Sequence, residues 1–290
     1  MISCIIPTYN NLKLWENYKL LNSLCNQTET DAEVLIVDDK SEDGTLEFLK
    51  NYIQRNDPPF HFRLIKCIAE KKNYTQSSCI PDNIGFKEAK GDIIVHLDSD
   101  GWVHINLLKH IKSLDLLNNI SCYFGQIIFV KPDTFEPFSY DSRLGRPLIE
   151  ARKINPNTKT VRLKPEYKAC WGSLYCTTTQ TIKEIGGHVM KFSHKRGVDA
   201  RIGTSLLNKV PCYFTIEEQM TFWHIGNSWI RRKAAEGKSG LEEIAKEHKI
   251  PFQSYFVKEN EIISNPTIVN GGLAFWTSGI LDNLYEEIEI

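Results

Sequence analysis

The sequence predicts an α/β protein built on an open, mostly parallel sheet with helices on both faces. Two observations carry that prediction. Through residues 2–97, short apolar runs alternate with segments of helical spacing, joined by short connections. The apolar runs also end in polar residues, and in open α/β sheets ligands bind beyond the carboxyl ends of the strands.

The first run, "SCIIP", reads as a strand stopped by Pro7. Leu12, Trp15, Leu20, Leu21 and Leu24 then recur at roughly helical spacing up to Cys25, after the cap candidates Asn10 and Asn11. "EVLIVDD" is a second strand, and "SEDGTLEFLKNYI" a helix with Ser41 as its cap. "FRLIK" gives a third strand, "PDNIGFKEAKG" a helix ending on Gly91, and "DIIVHL" a fourth strand. A helix near 104–117 leads to the longer strand "SCYFGQIIFV". Residues 131–168 are polar and punctuated by proline, with no clear period, which marks a functional or mobile stretch. "GSLYC" and "PCYFTI" are later strands, and "TTQTIKEIGG" is a short helix closed by Gly186 and Gly187. From Trp229 the tail reads as a charged amphipathic helix.

Composition narrows the function classes. The chain has 290 residues, 41% of them hydrophobic, and a net charge of −1, which gives no reason to expect nucleic acid as a partner. No apolar run approaches the roughly 18 residues of a membrane span, and the N-terminus lacks the pattern of a secretory signal. The eight cysteines are scattered without a C-x-x-C pair and read as reduced thiols. A cytoplasmic protein is expected, with the inner membrane face as a contact that the basic residues would allow. Those residues gather at His188, Lys191, His194, Lys195, Arg196 and Arg201, and at Arg231, Arg232 and Lys233.

The chemistry concentrates at the strand ends. Asp98 and Asp100 follow a buried run with Ser99 between them, and two carboxylates so placed repel unless a cation lies between. Residues i and i+2 of an extended chain project the same way, which suits Mn²⁺ or Mg²⁺ shared with substrate phosphates. Asp38 and Asp39 close the second strand, where an acceptor-only carboxylate suits the N3–H of uracil or a ribose hydroxyl. His224, in "MTFWHIGNSW", is a third ligand candidate for Mn²⁺. His96, inside the apolar run, reads as core or as support for the pair from behind.

Together "IIPTYN", "VLIVDDKSEDGT", "DNIGFKEAKGDIIVHLDSD" and "IKEIGGH…RGVDARIGTSL" resemble, in content and order, the family 2 glycosyltransferases of GT-A fold. The resemblance runs from about residue 2 to about 207. It implies a GT-A domain over 1–228, with a donor-nucleotide half (1–100) and an acceptor half (101–228), a mixed central sheet, and a helical C-terminal extension over 229–290. It implies that Pro7, Thr8 and Tyr9 line the nucleotide pocket and that Asp38 or Asp39 reads base and ribose. Asp98 would contact ribose or metal, Asp100 would ligate the metal, and Ser99 and Asn83 would stand at the nucleotide site. Asp199 falls where the family has its catalytic base, and Trp171 and Gly172 where it places acceptor residues. Two departures stand out: Val198 replaces a Glu beside the base, and Asp82 replaces an Arg before Asn83.

The expected activity is metal-dependent transfer of a hexose or N-acetylhexosamine from a UDP-sugar to a glycan or glycolipid hydroxyl, inverting, with Asp199 as base. A retaining transferase and a catalytically silent nucleotide-sugar-binding protein are the alternatives, the latter raised by Val198. A sugar-phosphate nucleotidyltransferase would need a glycine-rich loop after the first strand, and "PTYNNLKLWEN" has none.

Overall fold

The computed structural model describes residues 1–56, 58–68, 79–140, 145–164, 173–188, 198–225 and 285–290. Four strands form the parallel heart of the sheet: β1 (Ile2–Thr8), β2 (Ala32–Asp38), β3 (His61–Cys67) and β4 (Ile93–Leu97). β1 lies between β2 and β4, with β3 outside β2, so the three strand ends Thr8, Asp38 and Leu97 share one edge. These strands are buried on both faces, which is why they read as continuous apolar runs and not as alternations.

The period-2 geometry of β1 divides the core. Ile2, Cys4 and Ile6 face one layer, with Trp15, Leu21, Leu24, Leu49 and Leu107. Ile5 faces the other, with Ile84, Phe86, Tyr175, Ile182 and Leu206. The first layer is supplied by α1 (Leu12–Trp15), α2 (Lys19–Cys25), α3 (Thr45–Asn56) and α5 (Leu107–Ser113). The second is supplied by α4 (Cys79–Glu88), α6 (Gly145–Ile154), α7 (Thr179–Ile185) and α8 (Val198–Lys209).

Beyond β4 the sheet turns mixed. β9 (Leu174–Thr178) pairs antiparallel with β4, and β6 (Cys122–Val130) pairs antiparallel with β9. β6 carries β10 (Cys212–Thr215) along its first half, and β8 (Thr160–Arg162) flanks β10. The second half of β6 enters a smaller sheet with β11 (Thr221–Ile225), β5 (Gly101–Val103) and β7 (Pro137–Tyr140). Gly125 marks the passage: a Cβ there would lie 2.2 Å from the Met220 carbonyl oxygen.

Several expectations are corrected. The helix expected from Leu12 to Cys25 is two pieces, broken where Tyr18 takes a left-handed conformation (φ 56°). The helix expected over 104–117 is the shorter α5. Neither Asn11 nor Ser41 caps a helix with its side chain; Asp43 accepts the Leu12 and Thr45 amides instead, at 3.0 Å each. Residues 131–168, read as aperiodic, contain β7, α6 and β8. The C-terminal residues Tyr285–Ile288 form β12, antiparallel to β3, where a helical extension was expected. Tyr285 and Ile288, three residues apart, stand on opposite faces of this strand and pack against the two different core layers. The amphipathic helix expected from Trp229 lies outside the described residues.

Candidate active site at the strand ends

Three elements converge on one cluster. β4 delivers Asp98 and Asp100 just past its end, and β5 begins at Gly101. β11 runs antiparallel to β5 with His224 opposite Gly101, and the Ile225 amide donates to the Asp100 carbonyl at 2.7 Å. This register places His224 Nε2 3.3 Å from Asp100 Oδ2. Ligand atoms of Asp98, Asp100 and His224 all lie within 4.8 Å of one another.

Gly101 is what permits the approach. A Cβ at this position would sit 2.3 Å from the Trp223 carbonyl oxygen and 2.5 Å from the Phe222 ring. The pair is stiffened on its other face by Trp102 and Trp223, which are cross-strand partners with rings stacked at 6° and 6.0 Å. Phe135 meets Trp102 edge-on, and the Lys19 ammonium lies 4.7 Å from the Phe135 ring centre.

The electrostatics call for a cation. Burial, and then the neighbouring Asp100 charge, push the Asp98 carboxyl above its ordinary value, while burial pushes Asp100 up to about 7. Asp100 Oδ1 is buried without a hydrogen-bond partner among the described residues. Two carboxylates and an imidazole with an unsatisfied oxygen match the oxygen-and-nitrogen donor set of Mn²⁺ or Mg²⁺. The residues therefore fit a divalent metal.

Supporting hydrogen bonds orient the ligands, as metal sites generally require. Ser173 Oγ donates to Asp98 Oδ2 at 2.6 Å, and the Asp98 amide donates to the Ser173 carbonyl. Asn11 Nδ2 donates to Ser99 Oγ at 2.6 Å, so Ser99 joins the loop after β4 to the loop after β1. Ser173 was not singled out in the sequence, and Asn11 only as a helix-cap candidate. Ser173 reaches the site because β9 runs antiparallel to β4, a pairing that no local spacing encodes.

The nucleotide candidates divide by burial. Pro7 and Thr8 are buried in β1, and Thr8 Oγ1 accepts from the Trp15 indole at 2.9 Å. Asp38 is fully buried and accepts the Ser41 amide at 2.9 Å, which holds the turn after β2. Tyr9 and Asp39 are half-buried at the same edge, and the Asp39 amide is tied to the Thr8 carbonyl. Asn10, in a left-handed conformation (φ 48°), accepts the Glu42 amide and donates its own to Ser41 Oγ. The loops after β1 and β2 are thus laced into one rim.

Asn83 is buried and uses its carboxamide twice on one residue, donating to the His188 carbonyl and accepting the His188 amide, both at 2.7 Å. It fastens the chain after α7 to α4. Asp199 stands in the first turn of α8, its side chain outside what the structure describes. Trp171, Gly172, Lys191, His194, Lys195, Arg196, Arg231, Arg232 and Lys233 also lie outside the described residues. Among the described residues, no helix is long and apolar enough to cross a membrane.

The family model described as "Glycosyl transferase family 2" matches residues 3–172. The poly(ribitol-phosphate) beta-N-acetylglucosaminyltransferase TarP of Staphylococcus aureus is 32% identical over 129 residues, covering 43% of this chain and 36% of its own. An uncharacterized glycosyltransferase of Haemophilus influenzae is 30% identical over 129 residues, 44% of this chain and 48% of its own. The matched regions span less than half the length of these relatives. Among solved structures, S. aureus TarS 1-349 in complex with UDP superposes with a TM-score of 0.58 at 17% identity, covering 97% of this chain and 72% of that one. The mannosyltransferase PcManGT from Pyrobaculum calidifontis, in complex with GDP-Man and Mn²⁺, gives 0.54 at 16% identity, over 96% of this chain and 74% of that one. These likenesses identify the mixed α/β architecture as the GT-A fold. With the matched model covering more than half of its residues, the chain belongs to glycosyl transferase family 2.

Proposed function

We propose that this protein is a divalent-metal-dependent glycosyltransferase that moves a hexose or N-acetylhexosamine from a UDP-sugar to a hydroxyl of a glycan or glycolipid. The observation that carries this reading is the Asp98–Asp100–His224 cluster at the edge where β1, β2 and β4 end. The relatives support the donor class: TarS was solved with UDP-GlcNAc and with UDP, and PcManGT with GDP-Man and Mn²⁺.

In this reading Asp98, Asp100 and His224 hold the cation. A divalent metal bound there neutralises charge on the departing diphosphate. Tyr9 and Asp39, half-buried on the rim, contact the base and ribose, and Asp39 accepts from an N–H or hydroxyl of the nucleoside. Pro7, Thr8 and Asp38 fix the backbone that presents them. Asp199 takes the acceptor proton, which can supply roughly 10²–10⁴-fold of the rate. One base on the acceptor side suits direct displacement with inversion. The division into a donor half over 1–100 and an acceptor half over 101–228 belongs to the same proposal, as do acceptor contacts by Trp171 and Gly172 and a cytoplasmic location.

The test is UDP release across a panel of nucleotide sugars with Mn²⁺, with and without a chelator, together with Asp199→Asn. Slow metal-dependent hydrolysis of one UDP-sugar names the donor. An Asp199→Asn chain with unchanged transfer to an acceptor would remove the base assignment.

A further inference from the structure

A second group of ligating side chains lies in the core behind the strand-end site. Asp82 comes from α4, His96 from β4, and His188 from the residues following α7. All three are buried, with side-chain exposures of 1%, 4% and 3%. The single carboxylate stands between two imidazoles: Asp82 Oδ1 lies 2.9 Å from His96 Nε2, and Asp82 Oδ2 lies 3.3 Å from His188 Nε2. One ligand atom from each falls within 4.8 Å of the others. We propose that Asp82, His96 and His188 form a buried metal site, distinct from the strand-end cluster, whose donor set suits Zn²⁺.

Four observations support a metal over a purely packed polar core. Neither ring nitrogen of His188 makes a hydrogen bond among the described residues, although the side chain is buried. Leaving such a group unsatisfied costs roughly 1–3 kcal/mol, so a native core supplies a partner. The imidazoles are held from behind, as ligands are. The His188 ring stacks on Phe86 at 5.7 Å and 10°, the His96 ring on Tyr175 at 4.9 Å and 8°, and Asn83 grips both backbone polar atoms of His188. Burial lowers the His188 pKa to about 4, which keeps the imidazole neutral, the form that ligates. Two imidazoles and one carboxylate suit zinc, whereas the hard cations of the strand-end site prefer more oxygen. Among the described residues three ligands converge there, and a zinc ion takes a fourth. A metal here would join the consecutive elements α4 and β4 to the chain after α7, which is remote from both in sequence.

The experiment uses the full chain carrying Asp100→Asn, so that the strand-end site is disabled. After zinc loading and exhaustive dialysis against metal-free buffer, zinc per chain is measured by plasma mass spectrometry. One zinc per chain is expected in this background, and its loss on adding His188→Gln or Asp82→Asn. Cobalt substitution of the Asp100→Asn chain should give visible absorption bands of low-coordinate Co²⁺, a readout that survives if either second variant fails to fold. Absence of retained zinc and of such bands overturns the site. So does zinc retained equally by a folded His188→Gln or Asp82→Asn chain, which would leave Asp82 and the imidazoles as a proton-sharing polar core.

Discussion

Gly101 shows how one residue can set a site it does not touch. Its missing Cβ lets β11 lie against β5 so that His224 reaches Asp100. Gly101→Ala must displace the Trp223 backbone or the Phe222 ring, neither of which is a flexible chain end. Overpacking of this kind costs about 1–3 kcal/mol, so the variant should show a lower urea midpoint together with weakened Mn²⁺ binding by calorimetry. Ser173→Ala separates support from ligation. It removes the donor to Asp98 and leaves both carboxylates, and should weaken Mn²⁺ binding roughly tenfold with little change in stability. The carboxylate pair was legible because two acids after an apolar run are conspicuous. The supporting roles of Ser173 and Asn11 were not, because a lone serine or asparagine carries no such signal until the strands that bring it in are known.

At the scale of elements, the edge strand β12 is held by charge. The Arg63 guanidinium, 3% exposed, pairs with Glu287 through Nε and Nη2 at 2.8 and 2.9 Å, and also reaches Glu33 and Glu88. The Tyr285 hydroxyl donates to Glu88. Arg63→Met would leave the buried Glu33 without its cation, and breaking a buried pair this way costs about 3–5 kcal/mol. Glu287→Gln, whose carboxylate is half-exposed, should cost under about 1 kcal/mol. Chemical denaturation of the two variants reads the asymmetry, and equal losses would mean that Arg63 does not bind Glu33 as described. The parallel strands were legible because burial on both faces writes them as apolar runs. The small sheet of β5, β7 and β11 was not, since its strands are short, and their pairing through β6 is fixed by tertiary packing. The break at Tyr18 left a signal that was passed over: Trp15 and Leu20 are five residues apart, a spacing that no single helix face keeps, and the chain turns between them.

Across the whole molecule, acid should act on the core beneath the site. His188 is neutral in the fold, facing Asp82 and His96, with a pKa lowered to about 4 by burial. Its unfolded pKa is about 6.5, so the unfolded state binds the extra proton first, and stability falls as pH drops from about 6.5 towards 4. The loss through this group amounts to about 3 kcal/mol when complete. In metal-stripped protein, His188→Gln should flatten that part of the stability profile; an unchanged slope would locate the acid sensitivity elsewhere. The cluster escaped the sequence reading because Asp82, His96 and His188 sit on separate elements, joined only by the packing of α4 on β1 and β2 and of α7 on β9, with β4 between β1 and β9. The central claim, however, rests at the strand ends. Its most direct test is UDP release from a UDP-sugar by the wild-type chain and by Asp100→Asn, each with Mn²⁺ and with chelator. The account predicts release that needs the metal and falls on the order of 100-fold or more in the variant, since even partners of metal ligands are worth 10–100-fold. Release that persists in chelator, or an Asp100→Asn chain as active as wild type, would contradict it.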